Sequence, residues 1–430
     1  MLNYIWLALI LCAVIFGATN NRLNEVTVSA FDSAKIAVMN VALPLIGIFA
    51  LWLGMMRLAE KAGIVQLIAR GLRPILKLLF PEIPQGHPAL GSIVMNMAAN
   101  MLGLANAATP VGLKAMQELE RLNPHPGTAS NAMCTFLALN TSSVQLIPAT
   151  TIAILAAAGS KDPTAIIGTA FVATACSTFA AIGSVKLLQR LPMFRLPPAE
   201  KKLCSETSDP ETTLAPLPLW AKGVLSAFAI FFILIAWHLG ITAAGAPDRG
   251  LFAKLVTVTS QLAIPIFLTF FPLYAALKRI PVYEEFIEGA KEGFHTAVRI
   301  IPYLVAILVA IGMFRAAGGI QFVSDWLRPI LQPLQFPPDL LPLALIRPLS
   351  GSGTNGLFAE LVQTHGPDSL IARMGGTLVG STETTFYVLA VYFGAVSIRR
   401  TRQAVPAGLI ADFTGIIASV IICNLVFGSK

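Results

Sequence analysis

The chain has 430 residues, 55% of them hydrophobic and only 12% charged, about half the charged share of a soluble domain, and its mean hydropathy is +0.73. A surface that apolar excludes a water-soluble globule and calls for lipid as the solvent. The net charge of +8 does not mark a nucleic-acid binder, because the basic residues sit at the ends of apolar runs, where the cytoplasmic loops of membrane proteins carry them.

The first apolar run, 4–18, has no basic residue ahead of it and reads as a retained span rather than a signal peptide. Further spans are expected at 36–56, 166–188, 219–239, 252–277, 298–313 and 404–427. Between the second and third lie shorter apolar pieces, near 89–104, 132–139 and 144–158. The same interruption follows the sixth span, with pieces near 340–349, 371–379 and 386–396. Short, broken segments at corresponding places in two halves point to re-entrant hairpins or broken helices. Their backbone groups must be buried in protein or line a wet cavity. Glycine (33) and proline (29) are abundant, as suits membrane helices that break or pack closely. The fold class expected is therefore an all-α polytopic membrane protein.

The stretch 198–218 is polar, charged and proline-rich, and reads as a cytoplasmic linker between halves 1–197 and 219–430. The halves repeat. Leu72-Arg73-Pro74-Ile75-Leu76 recurs as Leu327-Arg328-Pro329-Ile330-Leu331. Gly54-Met55-Met56-Arg57 matches Gly312-Met313-Phe314-Arg315, Ala62-Gly63-Ile64 matches Gly318-Gly319-Ile320, and Pro44 matches Pro302. Phe80-Pro81 matches Phe336-Pro337, and the order is kept throughout. Arginines and lysines crowd the region from Lys186 through Lys202, the pair Lys278-Arg279, and Arg399, Arg400 and Arg402. The loops holding Arg22 and Lys35, Lys161, or Arg249 are poorer. Rich loops inside and poor loops outside give the halves opposite topology, with the unpaired span 219–239 supplying the inversion. A parallel duplication is the alternative. Residues 64–79 and 320–334 are amphipathic and suit the interface plane.

Polar side chains inside the broken segments are the candidate solute-binding residues. In the first half they are Asn96, Asn100, Asn106, Asn140, Thr141, Ser142, Ser143 and Gln145, with Thr109 nearby. In the second they are Arg347, Ser350, Ser352, Thr354, Asn355, Ser381, Thr382, Glu383 and Thr384. Such groups are costly at lipid depth unless packing, partners or function offset them. Asn96 and Asn100 are four apart and share a helical face. Ser350, Ser352 and the glycines around them favour an irregular backbone that approaches its neighbours closely. Residues 381–385 open just where an apolar run resumes, so hydroxyls and free backbone N–H groups at a helix start suit a polar or anionic solute. Arg347 offers a fixed positive charge; Glu383 offers a ligand for a coupling cation or for a donor on the solute. The structural alternative is a buried Arg347–Glu383 ion pair, and serines and threonines that merely cap the breaks. The five cysteines form no CxxC pair, and the five histidines are dispersed. No metal site, catalytic constellation or phosphate loop is indicated, so the chain is not expected to be an enzyme and no cofactor is expected beyond a coupling ion, Na⁺ or H⁺.

These residues carry a family resemblance. LRPILKLLFPEIP, HPALGSIVMNMAANMLGLANAATPVGLKAM and FLALNTSSVQLIPAT resemble spore maturation protein A; RPLSGSGTNG and GSTETTFYVLAVYFGAV resemble spore maturation protein B. Both groups belong to the nucleoside-recognition, or Gate, domain family, which includes portions of concentrative nucleoside transporters and of ferrous-iron transporters. Gly380-Ser381-Thr382-Glu383 is similar to a Gly-Gln-Thr-Glu element of nucleoside transporters, with Ser381 in the place of Gln. The resemblance implies a re-entrant hairpin there that touches base and sodium, and a protein that forms a homo-oligomer in many family members. The expectation is a multi-pass protein of the bacterial inner membrane: a transporter or permease for a small polar or anionic solute, its site near the midplane between the halves. Its partners are the bilayer and that solute. The alternative is a non-transporting gate or scaffold that regulates a partner complex.

Overall fold

The computed structural model describes residues 2–84, 87–103, 105–196, 218–244, 251–333 and 335–428. The linker expected at 198–218 lies outside them except for Pro218. The first half comprises α1 (Leu2–Thr19), α2 (Leu23–Ile36), α3 (Leu43–Lys61), α4 (Ile64–Leu79), α5 (Pro88–Met101), α6 (Ala105–Arg121), α7 (Asn131–Ser142), α8 (Ala149–Ala157) and α9 (Ile166–Leu188). The second comprises α10 (Leu219–Ala244), α11 (Leu251–Leu277), α12 (Val282–Ala316), α13 (Gly319–Leu331), α14 (Leu341–Ile346), α15 (Gly351–His365), α16 (Leu370–Ser381), α17 (Thr385–Ala395) and α18 (Ala404–Phe427). Among the described residues the one departure from helix and loop is an isolated bridge between Thr128 and Arg400.

Local chemistry places the ends. Ser130, Ser350 and Ser369 each accept the backbone N–H of the third residue of the helix they cap, at 3.0–3.2 Å. Gly63 and Gly318 both take left-handed backbone, with φ of 81° and 86°, and turn the chain from a long span into the amphipathic helix that follows. The paired turn is thus at Gly63 and Gly318, one residue earlier than the sequence match implied. Pro44 lacks an N–H to give the carbonyl of residue 40, and the turn just before it, Ala37–Ala42, widens into π-helix. α2, this turn and α3 form one rod, Leu23–Lys61, of 39 residues.

Four described helices are long and apolar enough to cross a membrane: that rod, α9, the Leu219–Leu239 part of α10, and α18. α1, α11 and α12 carry shorter apolar stretches within them. α10 packs only on α11 among its main contacts and leaves Ile230, Phe231, Ile233, Leu234 and Trp237 exposed, as a lipid-facing helix must. The expected spans at 36–56 and 298–313 are longer than their apolar cores. Each begins in a polar segment, 23–36 and 282–297, that alternation of charge and apolar residues disguises as loop.

The halves are inverted. Arg57 meets Glu285 and Glu292 at one end of the α3–α12 contact. Gly293 lies against Phe49 and Ala50 in the middle, and Gly312 against Ser29 and Ser33 at the other end. The two corresponding rods therefore run antiparallel. α9 and α18 do the same: Ser177 donates to the Ala411 carbonyl, while the earlier Ala173 packs with the later Ile422 and Val426. Equivalent helices antiparallel and side by side are related by a two-fold axis perpendicular to their length, which lies in the membrane plane. The contacts also cross over. α1 packs on α12 and α11 on α3; α16 packs on α9 and α7 on α18. One apolar core runs through both halves.

Candidate functional site

Each half breaks once between its seventh-segment helix and the next: at 143–148 between α7 and α8, and at 382–384 between α16 and α17. The two tips meet. The Glu383 N–H donates to the Thr141 carbonyl at 2.6 Å, and Gln145 Nε2 donates to Glu383 Oε1 at 3.0 Å. Each tip is tied to its own half by an equivalent backbone bond, Leu146 N–H to the Met101 carbonyl and Phe386 N–H to the Pro348 carbonyl, both 2.9 Å. Ser143 ends α7 in left-handed backbone, φ 31°. A non-glycine residue held there stores strain of the kind found at binding sites and switches.

On the first-half side a chain of amides leads inward. Asn96 Nδ2 donates to the Ala108 carbonyl at 2.8 Å and to the Tyr392 hydroxyl at 3.3 Å. Asn100 Nδ2 donates to Asn140 Oδ1 at 2.9 Å and to Asn96 Oδ1 at 3.4 Å. Asn140 Nδ2 donates back to the Phe136 carbonyl. α9 closes the end of α7: Thr174 Oγ1 reaches the carbonyls of both Ser142 and Ser143 at 2.7 Å, and Thr178 donates to Ser142 Oγ.

On the second-half side the same places hold charges. The paired tip bonds make Arg347 the counterpart of Asn100 and Glu383 that of Ser143. Asp412 is the counterpart of Thr174, since each lies eight residues beyond the start of its helix. Arg347, 4% exposed, donates from Nε to Thr382 Oγ1 at 3.4 Å and feels both Glu383 and Asp412. Asp412, 2% exposed, accepts on Oδ2 from Thr385 Oγ1 at 2.5 Å and also feels the Thr382 hydroxyl. Two glycines bring α18 that close. A Cβ on Gly408 would meet Thr385 at 2.8 Å, and one on Gly415 would meet Thr382 at 2.7 Å. So Gly408, Asp412 and Gly415, on one helical face, seat a carboxylate against the second tip.

The candidate residues divide accordingly. Asn96, Asn100, Asn140, Thr141, Ser143, Gln145, Arg347, Thr382, Glu383 and Thr384 converge on the two tips. The Ser142, Thr354 and Ser381 hydroxyls bond the carbonyls of Leu139, Ser350 and Leu378 within their own chain segments, the bland role open to such residues. Ser350 caps α15, and Ser352 and Asn355 lie half-buried on its opening turns. The stretch expected to be irregular at 351–355 is therefore helix, because Ser350 supplies the N-cap and glycine is tolerated in the first turn. The Asn106 side chain lies outside the described residues. The expected pool of free N–H groups at the start of α17 is also smaller than the sequence implied: Glu383 and Phe386 already give theirs to carbonyls. Arg347 and Glu383 share a cluster, with Asp412 as its third charge.

Asp412 and Tyr392 escaped the sequence reading. Asp412 had a signal, a lone acid in an otherwise uncharged 24-residue span. Tyr392 had none, since a tyrosine in an apolar helix reads as core. Three buried polar atoms at the tips have no hydrogen-bond partner: Ser143 Oγ, Thr384 Oγ1 and Asp412 Oδ1. Buried polar atoms are normally paired. Farther out, on the face opposite the basic loops, a cleft of about 630 Å³ opens between α2, α12 and α15, lined by Asp32, Asn40, Arg315, Glu360 and Gln363. Arg315 holds Glu360 there in a two-pronged pair. A smaller hollow shares Asn40 and Gln363 with it and reaches Ile154 and Ala157 of α8.

Comparison with known proteins agrees with this architecture. The Gate family model, described as nucleoside recognition, matches residues 42–160 and 297–399, one stretch in each half. Spore maturation protein B of Bacillus subtilis (strain 168) is 46% identical over 176 residues, which make up 41% of this chain and 99% of that protein. Spore maturation protein A of the same organism is 43% identical over 182 residues, 42% of this chain and 92% of that protein. No solved structure matches the chain. Two relatives, each covered almost whole by less than half of this polypeptide, are consistent with a fusion of the two. The chain belongs to the Gate, or nucleoside-recognition, family of polytopic membrane proteins.

Proposed function

We propose that the protein is a transporter or permease of the cytoplasmic membrane, its basic loops inward, moving a small polar solute through a site at the meeting of the two tips. The observation that carries this reading is the junction itself. Inverted halves bring two broken helices together, and polar atoms there have no partner. Breaking a helix at lipid depth costs backbone hydrogen bonds, and a purely structural protein gains nothing from doing so twice. Inverted repeats with unwound helices at the midplane are how secondary transporters build a site that can face either side.

The chemistry narrows the solute. Arg347 already feels two carboxylates, Glu383 and Asp412, and the tip N–H groups at Glu383 and Phe386 are engaged. The site is better suited to an uncharged solute rich in hydroxyls and amide-like edges than to a bare anion. The family description, nucleoside recognition, is compatible with that chemistry. The outer cleft, on the face opposite the basic loops, is closed toward α8 by side chains that leave room for about one water, so passage along this line requires them to move. Glu383 and the Asn100–Asn140 pair are the groups assigned to the solute. Purified protein in liposomes, screened with nucleosides and other uncharged polar metabolites, should show flux that falls at least tenfold in Glu383→Ala and in Arg347→Ala. Flux unchanged in both variants would remove the tips from the mechanism.

A further inference from the structure

The departure from two-fold symmetry at the tips points to a second ligand. Three positions that are neutral in the first half, Asn100, Ser143 and Thr174, are Arg347, Glu383 and Asp412 in the second. Thr174 shows what the third position needs for structure alone: a hydroxyl that closes the broken end of α7. In the second half a carboxylate stands there instead. One of its oxygens is held by Thr385 and the other, buried, has no partner. With both carboxyls ionised, the cluster would hold two negative groups against the single Arg347, one positive charge short of neutral. An uncompensated charge at lipid depth is expensive.

We propose that Asp412 is a proton-binding site, loaded and unloaded as the tips move, with the proton taken by Oδ1 and returned to water on whichever side the site opens. This inference rests on the transport reading for its purpose, though not for its geometry. A proton fits better than a metal cation. The Gly408 and Gly415 contacts close the helix tightly on both sides of the carboxylate, and the Arg347 guanidinium repels any further cation that cannot merge with the carboxyl. The groups facing Asp412 can be named element by element. Arg347 comes from the end of α14, and Glu383 from the tip. Thr382 and Thr385 add their hydroxyls, while the titratable side chains of α17 lie elsewhere, Tyr392 against Asn96 and Tyr387 exposed. α7 presents no charged side chain. α9 has none before Lys186 at its far end, and the Arg373 of α16 lies over Phe427 at the other end of α18.

Infrared difference spectra between acid and alkaline buffer test this directly, on the purified full chain, with no solute present. The wild type should show a carboxylic C=O band that is lost in Asp412→Asn and kept in Glu383→Gln. Asp412→Glu should restore it at a shifted position. A wild type without such a band at any pH, or a band unchanged in Asp412→Asn, overturns the proposal. Liposomes loaded with a pH-sensitive dye and given uridine as probe provide the second readout. An imposed proton gradient should drive uridine accumulation in the wild type and not in Asp412→Asn. Uridine flux indifferent to the gradient, together with no carboxylic band, refutes the proton site and leaves the transport reading standing. A band that behaves as expected without any flux supports the proton site and counts against the transport reading alone.

Discussion

Replacing Thr174 by Val and Asp412 by Asn, one at a time, separates a structural bracket from a functional charge, because the two residues occupy equivalent places. The Thr174 hydroxyl serves the carbonyls of Ser142 and Ser143 at the end of α7, where no helical N–H is left to do so. Valine keeps the shape and removes the donor. Buried carbonyls left without a partner cost about 1–3 kcal/mol, so Thr174→Val should lose about that much stability. Asp412→Asn keeps an oxygen for Thr385 and removes a buried charge whose second oxygen is unpaired. Removing one partner of a buried pair is costly when it strands an uncompensated charge; here Glu383 remains to offset Arg347, so a change within about 1 kcal/mol of the wild type is expected. Reversible unfolding in mixed detergent micelles reads both numbers on one scale. If Asp412→Asn costs as much as Thr174→Val, or more, Asp412 is a second bracket and the symmetry argument for its function fails.

The antiparallel crossing of α3 and α12 makes a sharper packing prediction. Gly54→Ala would put a methyl group 2.6 Å from the Phe286 ring and should cost about 1–3 kcal/mol by overpacking. Gly47→Ala, on the same helix with nothing within 4 Å of the added carbon, should be neutral or stabilise by about 0.5–1 kcal/mol. Equal effects in a thermal-shift assay would refute the crossing. A third prediction concerns the loops. Partial burial pushes the Asp368 carboxyl up, but the Ser160 hydroxyl, the Lys161 amide and Arg373 outweigh it and hold it below its ordinary 3.8. Its stabilising effect is therefore present above that value and fades as the pH falls through the lower folded one. The melting-temperature gap between wild type and Asp368→Asn should be constant near neutrality and close as the pH falls below 3.8; a gap that widens in acid contradicts the assignment.

Several features of the site were open to a reader of the sequence. The breaks at 140–145 and 380–385 stood out because amides and hydroxyls interrupted apolar runs at matching places. The LRPIL repeat and the paired glycines ahead of the amphipathic helices marked the duplication, and unequal basic loops marked its inversion. Other features were hidden. The polar starts of the 23–61 and 282–316 rods look like loop, since a helix that lines a wet cleft need not be apolar there. The glycines at 351 and 353 look like irregular backbone until Ser350 is seen to cap them. Asp412 looked like a stray acid in a span until it was found against Thr385, 27 positions earlier in the chain.

By itself the sequence determined the solvent, the rough positions of the apolar helices, the repeat, and the polar residues costly enough to demand a reason, because hydropathy and periodicity are local and survive without contacts. Only the tertiary structure decided that the two tips touch, that Gln145 reaches Glu383 across 238 positions, and that Arg347 feels a second carboxylate, Asp412, besides Glu383. Those facts depend on a two-fold axis that pairs residues far apart in the chain. No local pattern encodes where such an axis passes, since it is set by how the close-packed helices of one half fit those of the other.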